Sequence, residues 1–100
     1  MEIKVVWTEE ATNSHEEIFL FLIEIWNLKI AKTFVQLVDE KIKWICEYPN
    51  SALLHDKLNL IQKVIIHPHV TLFYRYLKQE NSIEILLFWD NRQDDRKLQF

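Results

Sequence analysis

Apolar residues recur at helical spacing through the first half of the chain and in strand-like runs through the second. Ile3–Trp7 reads as a short strand. Thr8 then precedes Glu9, Glu10 and Ala11, a capping residue followed by acids where a helix N-terminus favours them. A helix is predicted from about Glu9 to Trp26, because Ile18, Phe21, Leu22 and Ile25 follow the i, i+3, i+4, i+7 rule. Phe19, Ile23 and Trp26 widen its apolar arc to roughly 200°, where an amphipathic helix needs about 100°. Such a helix either lies between a sheet and a second helix or keeps part of its arc for a partner chain.

Asn27 is placed to cap a second helix over 28–47, with Ile30, Phe34, Leu37, Val38, Ile42, Trp44 and Ile45 as its core face and Pro49 as its stop. The short link makes the two helices an antiparallel hairpin. Residues 49–59 read as a loop with Leu53 and Leu54 as apolar plugs. Strands follow at 60–67, 70–77 and 82–89, with a bend at Pro68 and a polar turn at Lys78-Gln79-Glu80-Asn81. In the last strand, alternation puts Ile83, Ile85, Leu87 and Trp89 on one face, opposite Glu84, Leu86 and Phe88. The order βααβββ implies an α+β fold: a helical hairpin packed on a small, mainly antiparallel sheet, within one domain spanning 1–100. The first strand should join that sheet alongside the final meander.

Composition narrows the chemistry. The chain has no glycine, so phosphate loops and dinucleotide-binding turns are excluded, and left-handed turns must fall to Asn or Asp. Cys46 is the single cysteine; it excludes an internal disulfide and is expected to be a buried small hydrophobe. His67 and His69 flank Pro68 without a third ligand at an obvious spacing, so no metal and no cofactor are expected. The longest apolar run is far too short to span a membrane, and the N-terminus does not read as a signal peptide, so a cytoplasmic location is expected. Net charge is −3, unevenly spread. Residues 9–47 hold eight acids and four bases, whereas residues 60–79 hold only Lys63, Arg75 and Lys78. A basic sheet half suits an acidic partner, and the acidic total argues against DNA binding by this chain alone.

Several segments, taken in order, resemble one family. VVWTEEA at 5–11, AKTFVQLVDEKIKWICEYP at 31–49, FYRY at 73–76 and ILLFWDNRQDDRKL at 85–98 are together similar to RelE/ParE toxins of type II toxin–antitoxin systems, in the ParE-like or plasmid-stabilisation branch. The resemblance implies a compact toxin, neutralised by a cognate antitoxin whose disordered segment folds against the toxin's grooves and edges. It also implies one of two activities. ParE-like members bind and inhibit DNA gyrase; RelE-like members cut messenger RNA on the ribosome. A degenerate toxin that retains only antitoxin binding is the third possibility.

The candidate residues follow from that resemblance. Arg92 matches the family's arginine after the last strand, and Arg75 matches the arginine of the FYRY strand. Arg92, Trp89, Asn91 and Arg75 are the candidate target-binding set. Phe19, Ile23 and Trp26 are the candidate antitoxin-binding set. A nuclease would use Lys63, His67, Arg75 and Arg92, since cleavage needs proton transfer and cations around the phosphorane. The family's acid–base residue is a Tyr or His beyond the arginine, whereas positions 94–100 read DDRKLQF. That departure favours action by binding. A surface ion pair with a neighbouring acid is the alternative role for Arg92, and a cross-strand pair with Glu84 the alternative for Arg75.

Overall fold

A computed structural model of the chain describes residues 2–67, 69–92 and 98, with the side chain of His67 excepted. The elements are β1 (Lys4–Trp7), α1 (Glu9–Ile25), α2 (Leu28–Glu47), β2 (Leu53–Asp56), β3 (Ile61–His67), β4 (Val70–Leu77) and β5 (Ser82–Asp90). The strands form one sheet in the order β1-β5-β4-β3-β2. β1 runs parallel to β5, and every other pair is antiparallel. The fold is α+β, with the helical hairpin on one face of the sheet, as the element order implied. Pro68 and residues 93–97, including Asp94 and Asp95, lie outside the described residues.

The helix starts follow from their caps. Thr8 Oγ1 accepts from the Ala11 amide at 3.0 Å, and Asn27 Oδ1 accepts from the Ile30 amide at 2.9 Å. Each relieves a first-turn N–H that has no helical partner. Trp26 and Asn27 alone join the helices, so α1 and α2 are forced to pack back on each other. The core joins Ala11, Phe34, Val38 and Ile45 of the hairpin to Leu72, Tyr74, Ile83, Ile85 and Phe88 of the sheet. Truncating one of its large aliphatic members, such as Leu72→Ala, costs about 2–5 kcal/mol. Tyr74 reaches across that core to donate its hydroxyl to the Pro49 carbonyl at 3.2 Å, and burial pushes its pKa up to about 12. Asn81 takes the left-handed conformation (φ 49°) before β5, the role expected of Asn in a chain without glycine.

Four sequence expectations are corrected. Residues 53–56 are a strand, β2, and Leu53 and Leu54 are exposed on it instead of plugging the core. Ile30, placed on the core face of α2, is exposed. Cys46 is only partly buried, although that burial still raises its thiol pKa. The alternation in β5 breaks at Leu86. Phe73 pairs with Leu87 while Tyr74 pairs with Ile85, so Leu86 is an extra residue in β5. Ile83, Ile85 and Phe88 therefore face the helices, and Leu87 and Trp89 face away from them.

The bulge is completed by α1. β1 ends opposite Ile85, and beyond that point the same edge of β5 has no strand beside it. Thr8 Oγ1 donates to the Leu86 carbonyl at 2.9 Å, and the Phe88 amide donates to Ser14 Oγ at 3.0 Å. The polar side chains of the first helical turns thus replace ladder bonds that would otherwise be lost in a part-buried site.

Candidate functional site

The excess apolar arc of α1 has a visible consequence. Ile18 and Leu22 pack against the core, while Leu20, Phe21, Ile25 and Trp26 remain exposed. Between α1, α2 and the ends of β4 and β5 lies an apolar groove of about 410 Å³. Phe21, Leu22, Trp26, Ile30 and Leu37 contribute its apolar walls. His69, Asp90 and Arg92 stand at its polar end. Trp26, 68% exposed, is the most solvent-accessible aromatic of the wall. Placing an indole at the two-residue link between helices leaves it no core to enter.

Arg92 is anchored at that end by Asp90 and Phe21. Its Nε donates to Asp90 Oδ1 at 3.0 Å and its Nη2 to Asp90 Oδ2 at 2.7 Å, a two-pronged pair. Its own amide also donates to Asp90 Oδ1 at 2.9 Å. The guanidinium carbon sits 5.2 Å from the centre of the Phe21 ring, within cation–π range. The hydrogen bond from Arg92 holds the Asp90 carboxyl below the usual carboxylate range, and the same bond raises the Arg92 pKa.

A second concavity, of about 200 Å³, lies on the sheet face turned away from the helices. His55, Lys63, Thr71, Phe73, Trp89 and Asn91 line it, with Leu98 at one side. Thr71 Oγ1 donates to Asn91 Oδ1 at 2.8 Å, and the Asn91 amide donates to the His69 carbonyl at 2.7 Å. The His55 and Phe73 rings meet edge-on at 4.8 Å. The indole N–H of Trp89 is buried and has no hydrogen-bond partner among the described residues. Such an unpaired donor costs on the order of 1–3 kcal/mol.

The candidate residues therefore separate into two places. Trp89 and Asn91 share the outer pocket with Lys63. Arg75 is on the same sheet face but is engaged, through Nη1 to Glu84 Oε1 at 3.3 Å and Nε to the Asn59 carbonyl at 2.9 Å. Arg92 turns to the helix side and joins the groove. The His67 side chain is outside the described residues. Of the three residues named for the antitoxin, Trp26 lines the groove; Phe19 and Ile23 are half-buried and are not among its walls.

Sequence reasoning missed His55, because the strand that carries it was read as a loop. It also missed Phe21 as a support of Arg92. The ion pair with a neighbouring acid, read from the sequence as the alternative role for Arg92, is the one it makes with Asp90. Among the described residues no cluster of three His, Cys, Asp or Glu side chains is placed to hold a metal ion. No helix among them is long and apolar enough to cross a membrane.

Comparisons with known proteins agree with this architecture. A family pattern described as the ParE toxin of type II toxin–antitoxin systems, parDE, matches residues 5–95. No curated protein sequence matches. A chain from the chromosomal ParDE toxin–antitoxin system of P. aeruginosa superposes with a TM-score of 0.74 at 18% identity, covering 89% of this chain and 96% of that one. The YoeB/ParE toxin of Agrobacterium tumefaciens gives 0.65 at 16% identity, covering 88% and 98%. The toxin–antitoxin complex RelBE2 of Mycobacterium tuberculosis contains a chain that gives 0.60 at 14% identity, covering 90% and 99%. At these identities the superpositions speak for the fold, and the family pattern, matched over nearly the whole length, carries the assignment: this chain belongs to the ParE toxin family of type II toxin–antitoxin systems, within the wider RelE/ParE group.

Proposed function

We propose that this toxin acts by binding a protein, DNA gyrase, and that a cognate antitoxin neutralises it by laying an apolar segment in the groove between the helices and the sheet. The observation that carries the reading is the position of Arg92. A cation clamped by Asp90 and Phe21 at the end of an apolar groove suits recognition of a protein surface. A segment seated in that groove would also cover Arg92, so neutralisation and loss of target contact become one event.

The charge of the outer face supports the same choice. Arg75 is occupied by Glu84 and the Asn59 carbonyl, which leaves Lys63 as the cation lining the pocket among the described residues. Docking onto ribosomal RNA draws on a much denser basic surface.

One observation favours a second reading, ribosome-dependent cleavage of messenger RNA. His55 and Lys63 line one pocket with Asn91, so a titratable imidazole and a cation are near each other despite the missing Tyr or His after Arg92.

The deciding experiment induces the chain alone in bacteria and pulse-labels DNA and protein synthesis in parallel. Early failure of DNA synthesis supports gyrase. Early failure of protein synthesis, abolished by His55→Ala, would replace it with the nuclease. Growth without arrest would leave a chain that only binds its antitoxin.

A further inference from the structure

The most exposed apolar side chains that neither the groove nor the outer pocket uses lie at one margin of the sheet. Leu53 is 73% exposed, Leu58 93%, Leu60 58% and Ile65 61%. All four belong to the β2–β3 hairpin, and β2 is the last strand of the sheet, bonded only to β3. Leu53 and Lys63 are cross-strand partners, and Ile65 follows Lys63 on the same face. Scattered surface leucines need no explanation, but a cluster on an edge marks an interaction surface.

Hydrogen bonds brace the turn that carries Leu58 and Leu60. Asp56 Oδ1 accepts from the amides of Leu58 and Asn59 at 3.0 and 3.2 Å, and Asp56 Oδ2 accepts from Asn59 Nδ2 at 2.7 Å. The Asn59 carbonyl is fixed by Arg75 Nε. Leu60 sits in the left-handed region at φ 58°, which costs a leucine roughly 1–2 kcal/mol. A leucine projected into water from a strained, fully braced turn is pre-organised for contact.

Charge identifies the partner. From residue 57 to 79 the chain carries Lys57, Lys63, Arg75 and Lys78 and no acid. The adjacent acid, Asp56, is consumed by the turn. Lys57 and Lys63 have no ion-pair partner among the described residues. A second copy of the chain would bring the same lysines against each other around the apolar cluster, which repulsion opposes. We propose that the β2–β3 margin is a docking surface for an extended segment of another protein in which apolar side chains alternate with acids. The bulge between Leu54 and Asp56 limits backbone pairing along β2, so side chains supply most of the contact. The proposal rests on the reading that the chain works by binding proteins, but not on gyrase as the target.

The test titrates the whole chain, labelled with nitrogen-15, with two short synthetic peptides of equal leucine spacing, one alternating with glutamate and one with lysine. The glutamate peptide should shift amides of residues 53–65 and bind roughly tenfold more weakly to Leu58→Ser. Lys63→Glu should weaken it by a similar factor and favour the lysine peptide. Equal binding of both peptides, shifts confined to the groove, or no shift at 53–65 at millimolar peptide would overturn the proposal. So would a wild-type dimer, seen in sedimentation, that Leu58→Ser dissociates. None of these outcomes touches the pulse-label result, so failure of this surface and failure of the gyrase reading are told apart.

Discussion

Arg92 folds back onto Asp90, two residues earlier, with two guanidinium nitrogens and its own amide on one carboxylate. The pair is half-exposed on the arginine side, so it contributes less than about 1 kcal/mol to stability. Its value is orientation: it presents the guanidinium over Phe21 at the end of the groove. Asp90→Asn should therefore leave the urea midpoint nearly unchanged while reducing toxicity. Arg92→Ala should relieve growth arrest more completely. A fully toxic Arg92→Ala chain, expressed at wild-type level, would remove Arg92 from the target contact.

The groove makes a prediction that separates its members. Trp26 is mostly in water, so Trp26→Ala should cost little stability yet weaken the cognate antitoxin by at least about tenfold. Phe19 is half-buried away from the groove, so Phe19→Ala should show the reverse. Calorimetric titration with the antitoxin, paired with urea unfolding of each variant, makes the comparison.

Thr8 and Ser14 stand in for a missing strand beside β5. Ser14→Ala would leave the Phe88 amide without its partner, and Thr8→Ala would remove both the cap of α1 and the bond to the Leu86 carbonyl. Each change should cost about 1–2 kcal/mol, with Thr8→Ala the larger. Denaturant midpoints measured at constant slope would check the order.

These two residues also explain what the sequence could and could not reveal. Thr8 and Asn27 were legible as caps because capping is local: one oxygen, one amide, a few residues apart. The spans of α2 and β4 followed from equally local periodicity. The bulge at Leu86 was not legible, because an extra residue in β5 is stabilised by Thr8 and Ser14, more than seventy positions away. That one insertion reversed the faces of Leu87, Phe88 and Trp89 and so hid the outer pocket. β2 was missed because its leucines point to water and show no buried face. Trp89 and Arg92 looked like neighbours in sequence; the two residues between them, Asp90 at the strand end and Asn91 in the turn, put them on opposite sides of the sheet.

His15 gives the fold a pH dependence of defined sign. Its ring lies 5.1–5.4 Å from Trp7, Phe34 and Phe88, and burial lowers its pKa despite the opposing charge of Asp39. The folded chain therefore prefers the neutral imidazole. The unfolded chain takes up a proton near the ordinary histidine value of about 6.5. Stability should thus be fully present above that value and fall as pH drops below it, until the folded imidazole itself protonates. His15→Phe should flatten this part of the curve relative to wild type. An unchanged slope between about pH 7 and 5 would mean that His15 is not its source.

The hairpin turn supplies the last test, because Leu60 is a poor residue for its backbone. A left-handed leucine crowds its Cβ against the following carbonyl, whereas asparagine tolerates that region. Leu60 is largely exposed, so replacing it removes little buried apolar surface. Leu60→Asn should therefore stabilise the chain by about 1 kcal/mol, a rise of about 4–8 °C in Tm for a domain of this size. If the turn were strained only to place Leu60 in a docking surface, the same variant should gain stability while losing affinity for the acidic, apolar peptide. Gain in Tm with unchanged peptide binding would assign the strain to the turn itself and confine the docking surface to Leu53, Leu58 and Ile65. Loss of Tm would show that the leucine side chain makes packing contacts that outweigh the backbone penalty.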